Sequence, residues 1–299
     1  MKRIAPRLRC GLGNRLFQTM AAIGEAERVS DTKDNSQATP VFFLPRMGSE
    51  HGNFDLLLLL FPNIKIVETA SEWLEIKEED ISQTRDAKHT RDAKHTPHTQ
   101  DSLTVLSGFF QDVRYFPKQS TFFPKLPSNV SQQDAWAIHF RFGDYTFLKH
   151  YHVNLARYYF YTITNKIPKH STLILFSDSP DRLKPIQKEL ENLEYKVEIF
   201  NNPDTLETMK AFASCVKGSV CSNSTFSWWC AWFAWNAQEA NDQNQTQTQS
   251  HGNAHYKAHF PDQWIVGQPS PRIFEHPFTQ TIKLDEISAS PELLSFSHS

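Results

Sequence analysis

The segment WAIHFRFGDY, Trp136 to Tyr145, reads as a buried β-strand that stops at a Gly–Asp turn. Side chains alternate along a strand, so His139 and Arg141 fall on one face and Phe140 and Phe142 on the other. Two aromatics facing a core and two basic groups facing a cleft is a consistent arrangement. The residues that follow set the fold. LARYYFYTITNK (155–166) has helical spacing, STLILFSD (171–178) is a strand, and DRLKPIQKELENL (181–193) is a helix. YKVEIF (195–200), DTLETMKAFASC (204–215), GSVCS (218–222) and TFSWWCAWFAW (225–235) continue as strand, helix, short strand and helix. Strands alternating with helices of about a dozen residues imply parallel βαβ units.

Upstream the same pattern is weaker. Ile4 to Arg9 is a strand candidate interrupted by Pro6, and Asn14 to Arg28 places Leu16, Phe17, Met20, Ile23 and Ala26 at helical spacing. VFFL (41–44), IKIVE (64–68) and the start of LTVLSGFFQD (103–112) read as strands, and EWLEIKEED (72–80) as an acidic stretch. PKLPSNVSQQD (124–134) has the prolines and small polar residues of a linker. The expected division is an N-terminal αβ domain over 1–127 and a C-terminal αβ domain over 128–299. Polar insertions are expected at 84–100, which repeats a six-residue unit, and at 241–255. His89, His95 and His98 of the first fit no usual zinc spacing; His251, His255 and His259 could line one helix face as ligands, but the Gln/Asn-rich sequence and Gly252 within it disfavour that.

Composition sets outer limits. The chain has 299 residues, 39% of them hydrophobic, with 23 Phe and 7 Trp, enough for a packed core. A net charge of -2 gives no global attraction to nucleic acid or an anionic membrane. The longest apolar run, LLLLLF (56–61), is far short of the ~20 residues of a membrane span. MKRIAPRLRC has no apolar stretch behind it to act as a signal peptide. Cys10, Cys215, Cys221 and Cys230 have no CxxC spacing. A cytoplasmic protein without a transmembrane segment is the expectation.

Four motifs fall at strand-to-helix junctions. Gly11, Gly13 and Asn14 open the first helix, either as an anion-holding loop or as a plain tight turn. Arg141 in HFRFGDY can fork onto a diphosphate or pair with Asp144. Ser177 and Asp178 in LFSDSP can accept from a sugar or base, or cap the helix starting near Asp181. SNSTFSWWCAW (222–232) brings hydroxyls and free amides to a helix N-terminus, a phosphate site or an N-cap on a tryptophan-packed core helix. A dinucleotide oxidoreductase is disfavoured because Leu16 stands where the third glycine of its loop would be.

Taken in order, CGLGNRLFQ, HFRFGDY, LILFSDSPD and ETMKAFASCVKGSVCSNSTFSWWCAW resemble the α-1,2-fucosyltransferases of glycosyltransferase family eleven. That resemblance implies an α/β, GT-B-like fold, with two Rossmann-like αβ domains facing across a cleft. It also implies inverting transfer from GDP-fucose to the 2-hydroxyl of a galactose-containing glycan, with neither metal nor other cofactor. In it the donor belongs to the C-terminal domain and the acceptor to the N-terminal one. Donor contacts carried over are Gly11, Gly13, Asn14, His139, Arg141, Ser177, Asp178, Asn223, Ser224, Thr225, Phe226 and Ser227. Arg141 and Asp144 are the catalytic candidates, with Asp178 second to Asp144 as proton acceptor. Three positions depart from the family pattern: Phe142 replaces its second arginine, and Cys10 and Cys230 each replace a glycine. The loss at Phe142 leads to the expectation that arginine there would tighten GDP binding. A catalytically silent sugar- or nucleotide-binding relative, and a transferase for another nucleotide sugar or linkage, are the alternatives.

Overall fold

The computed structural model describes residues 2–31, 37–43, 54–68, 72–81, 102–118, 122–127, 131–143, 155–245 and 256–287. The repeated insertion at 84–100, His251 and His255 lie outside these residues. The chain forms two compact units, Met1–Pro127 and Ser128–Ser299.

In the first unit, β1 (Lys2–Pro6), β2 (Ala38–Phe43), β3 (Lys65–Val67), β4 (Glu72–Lys77) and β5 (Ser102–Ser107) form one sheet. Its order is β3-β2-β1-β5-β4, and every pair is parallel. Helix α1 (Leu12–Ser30) is buried over nearly all of Leu12 to Ala26, so it is a core element and not a half-exposed cover. Helix α2 (Phe54–Leu60) accounts for the leucine run and buries Leu57 and Leu60. The acidic stretch contains β4, which the residue pattern alone does not reveal. It is an edge strand, and charge on an edge blocks pairing with foreign strands.

In the second unit, β6 (Ala135–Phe140), β7 (Thr172–Ser177), β8 (Lys196–Ile199), β9 (Gly218–Val220), β10 (Ala258–Pro261) and β11 (Thr279–Ile282) form a six-stranded sheet. The helices are α3 (Ala156–Lys166), α4 (Leu183–Asn192), α5 (Thr205–Ser214) and α6 (Thr225–Gln245). The order β11-β10-β9-β6-β7-β8 is wholly parallel. The chain runs outward from β6 to β8, then crosses back to lay β9 on the other side of β6. This is the 3-2-1-4-5-6 order of dinucleotide-binding sheets, with its switch point between β6 and β9. The short strands β10 and β11 escape the sequence reading, and His259 belongs to β10.

One core cluster packs Phe140, Ile138 and Leu175 against Tyr158, Tyr159, Leu183, Ile186 and Leu190 of α3 and α4. Trp228, Trp229 and Trp232 of α6 are buried, with Trp228 donating to the Ile273 carbonyl at 3.2 Å. Helix α6 extends to Gln245, into the expected insertion, because Gln, Glu and Ala propagate a helix and no Gly or Pro occurs before Gly252. Among the described residues no helix is long and apolar enough to cross a membrane.

Gly24 sets how closely α1 approaches the segment after β5. A Cβ there would lie 2.1 Å from the Tyr115 carbonyl oxygen and 3.0 Å from the Phe116 carbonyl carbon, both rigid backbone. Gly24→Ala is therefore expected to lower the unfolding free energy by about 2 kcal/mol, despite alanine's better helix propensity. A urea midpoint equal to or above that of the parent protein would show that the helix moves aside without cost.

Candidate functional site

Three neighbouring strands of the second unit end together around the switch point. The chain leaves β6 through Arg141, Phe142 and Gly143, leaves β7 through Asp178, and leaves β9 through Cys221 to Ser224. Asp178 joins the first two exits. Its Oδ1 accepts the Phe142 N–H at 3.0 Å, and its Oδ2 lies 2.7 Å from the Arg141 guanidinium. Gly143 makes room for this: a Cβ there would sit 2.3 Å from Asp178 Oδ2. The Arg141 side chain is about one third exposed, so it is oriented by a carboxylate yet accessible. Ser177 Oγ accepts the Ser179 N–H at 3.0 Å, closing the turn.

The third exit is held from beneath. His139, on the opposite face of β6 from Phe140, is buried, and its Nδ1 lies 3.0 Å from Ser222 Oγ and 2.6 Å from Ser227 Oγ. The two serine hydroxyls are themselves 3.0 Å apart. This triangle ties the end of β6 to the first turn of α6. Asn223 is buried and donates from Nδ2 to the Trp264 carbonyl at 2.9 Å. Ser222, Ser224 and Ser227 are also buried, whereas Thr225 and Phe226 are half-buried. Two tyrosines of α3 add cross-ties. The Tyr158 hydroxyl donates to the carbonyls of Cys221 and His259 at 2.9 and 2.7 Å. The Tyr159 hydroxyl donates to the His139 carbonyl at 2.7 Å.

In the first unit the glycine loop follows β1, beside β5, and so also lies where that sheet's order reverses. Gly11 precedes α1 with φ of -68° and open space at its Cβ position. The left-handed residue is Cys10, with φ of 62°. Its carbonyl accepts Arg15 Nε at 2.9 Å, and Asn14 Oδ1 accepts Gln111 Nε2 at 2.9 Å. This is a backbone conformation that glycine adopts without strain and that the chain meets here with cysteine. The thiol is half-buried and free, while Cys215, Cys221 and Cys230 are free and buried.

These contacts sharpen several expectations. Arg141 pairs with Asp178, and Asp144 lies outside the described residues. The capping role considered for Asp178 is not observed: the turn at Pro180–Arg182 begins at Ser179 without a side-chain cap. Phe140 and Phe142 share a face, as strand alternation predicts, with rings 6.1 Å apart. His139 supports the helix start from the interior. Tyr158, Tyr159 and Gln111 escape the sequence reading, because their partners are backbone or side-chain groups distant in sequence.

Two predictions follow from this geometry. Burial holds the His139, His259 and His276 imidazoles down at about 4, so all three are neutral in the folded protein at neutral pH. The unfolded chain protonates them near 6.5, so between pH 6.5 and 4 it binds more protons, and stability falls on acidification. The unfolding free energy should fall with a slope approaching 1.4 kcal/mol per pH unit per histidine; a flat profile from pH 7 to 5 would contradict these placements. Separately, Cys10→Gly should raise stability by up to about 1 kcal/mol, since relief of left-handed strain outweighs glycine's entropy in the unfolded chain. An unchanged or lower melting temperature would mean that the cysteine's contacts matter more than its backbone angle.

Comparison with known proteins bears on the second unit above all. The family model described as Glycosyl transferase family 11 matches residues 119–267, which include the exits of β6, β7 and β9. No curated protein sequence matches the chain. Similar solved structures include the fucosyltransferase NodZ from Bradyrhizobium, 12% identical, covering 78% of this chain and 92% of that one with a TM-score of 0.40. Another is POFUT1 in complex with GDP, 11% identical, covering 87% of this chain and 97% of that one with a TM-score of 0.43. Residues 119–267, with their parallel sheet and switch-point loops, thus carry the match to glycosyl transferase family 11.

Proposed function

We propose that this glycosyltransferase moves L-fucose from GDP-fucose to the 2-hydroxyl of a galactoside, with inversion and without a metal. The observation that carries the reading is Arg141, held by Asp178 at the exit of β6, one of the two strands that flank the switch point. A guanidinium held this way meets a diphosphate in a set orientation, without first having to be ordered. The half-buried Thr225 hydroxyl and the amides opening α6, that of Phe226 among them, add donors and the positive end of a helix dipole. Ser222, Ser227 and His139 act behind that turn, as the groups that fix its position.

The chemistry needs charge neutralisation on the leaving group more than a strong base. As the bond from the anomeric carbon to the diphosphate oxygen breaks, negative charge grows on GDP, where Arg141 and the helix terminus stabilise it. The acceptor oxygen attacks the opposite face, converting β-linked fucose to an α product, and its proton passes to a carboxylate. Asp144 is our assignment for that proton. Both Asp178 oxygens already serve the Phe142 amide and Arg141, which makes Asp178 the orienting group instead. We assign the donor to the second unit and the acceptor to the first. Gly11, Gly13 and Asn14 are assigned to the first unit's loop on the motif resemblance, since the family match begins only at residue 119.

Arg141→Ala is expected to reduce fucosyl transfer at least about 100-fold while leaving the melting temperature within a few degrees of the parent's. The assay is GDP release from GDP-fucose with β-galactosides, followed by linkage analysis of the product. Undiminished turnover in the variant would remove Arg141 from the mechanism. GDP binding without turnover by the parent protein would favour a silent relative, and preference for another donor would favour a different transferase.

A further inference from the structure

Phe142 leads to a second cation. Arg182 lies over its ring, with Cζ 4.2 Å from the centroid, and Phe142 is itself stacked with buried Phe140 at an interplanar angle of 11°. Arg182 ends the short turn Pro180–Arg182 that follows Asp178, and it directly precedes Leu183, which is fully buried. Its position is therefore fixed from both sides: by the ring it covers and by the anchored start of α4. The neighbouring carboxylates are engaged elsewhere. Asp178 binds Arg141, and Asp181 lies 3.1 Å from Lys184. Among the described residues Arg182 forms no ion pair.

A guanidinium stacked on an aromatic face keeps its in-plane N–H donors available at the edge. Such a group, beside the exits of β6 and β7 and with no ion pair among the described residues, is suited to bind oxygen anions. We propose that Arg182 is a second cationic ligand for the phosphates of the nucleotide donor, with Phe142 as the shelf that holds it. This rests on the donor reading above. It reverses the expectation at position 142. Phe142→Arg would remove the shelf and set two like charges together, so it should weaken GDP binding rather than tighten it.

The test is calorimetric titration of the intact protein with GDP and with guanosine, for the parent and for Arg182→Gln, Arg182→Lys and Phe142→Arg. Arg182→Gln should weaken GDP roughly tenfold, the scale of one charge-assisted hydrogen bond, and leave guanosine binding unchanged. Arg182→Lys, which keeps the charge but loses the planar stack, should fall between. Phe142→Arg should bind GDP more weakly than the parent. If the parent binds GDP and Arg182→Gln binds it equally well, Arg182 is no ligand, and the donor reading stands without it. The proposal also fails if guanosine and GDP weaken alike, or if Phe142→Arg tightens GDP. A parent protein that binds no GDP would overturn the donor reading and this inference together.

Discussion

The Asp178 carboxylate is the constraint on which the candidate site depends. One oxygen holds the Phe142 amide and the other the Arg141 guanidinium, so one side chain fixes the exits of two adjacent strands. The arrangement requires that position 143 have no side chain. It also explains why a solvent-accessible arginine can have a defined direction. An exposed ion pair contributes little to stability, about 0–1 kcal/mol, so this one is better understood as positioning a functional group than as holding the fold together.

Around that contact the second unit is organised in two layers of support. On one face of the sheet, Phe140, Tyr158, Tyr159 and the apolar stripe of α4 form a core reaching to the strand ends. On the other, His139 and two serines tie β6 to α6 through a compact polar triangle. Burial disfavours the charged form of this histidine, and the two hydroxyls give the buried Nδ1 of the neutral ring its partners. The tyrosine hydroxyls then tie carbonyls at or beside the ends of β6, β9 and β10. These ties add side-chain hydrogen bonds to the backbone pairing there, the Cys221 N–H already donating to the His259 carbonyl at 2.9 Å.

Departures from the family pattern prove to be local substitutions with structural answers. At Cys10 a left-handed backbone is held by a residue that strains it. At Cys230 the side chain is fully buried, and burial pushes its thiol well above the usual cysteine range. At Phe142 an aromatic ring stands in place of a cation and carries another cation on its face. None of these disturbs the sheet, because each lies at or beyond a strand end or within a helix.

The alternation of strands and helices and the strand-to-helix junctions were legible in the sequence because they rest on local periodicity and turn chemistry. WAIHFRF announced a strand with two faces, and SNSTFSWW announced a helix start, from residue order alone. β4, β10 and β11 were not legible, since an edge strand rich in charge and two four-residue strands have too little pattern to stand out. Nor were the pairings of Arg141 with Asp178, His139 with Ser222 and Ser227, and Arg182 with Phe142. Sequence determined which chemical groups are available at the ends of the strands. Only the parallel order β9-β6-β7, which brings residues 36 to 88 positions apart to neighbouring exits, decided which of them meet.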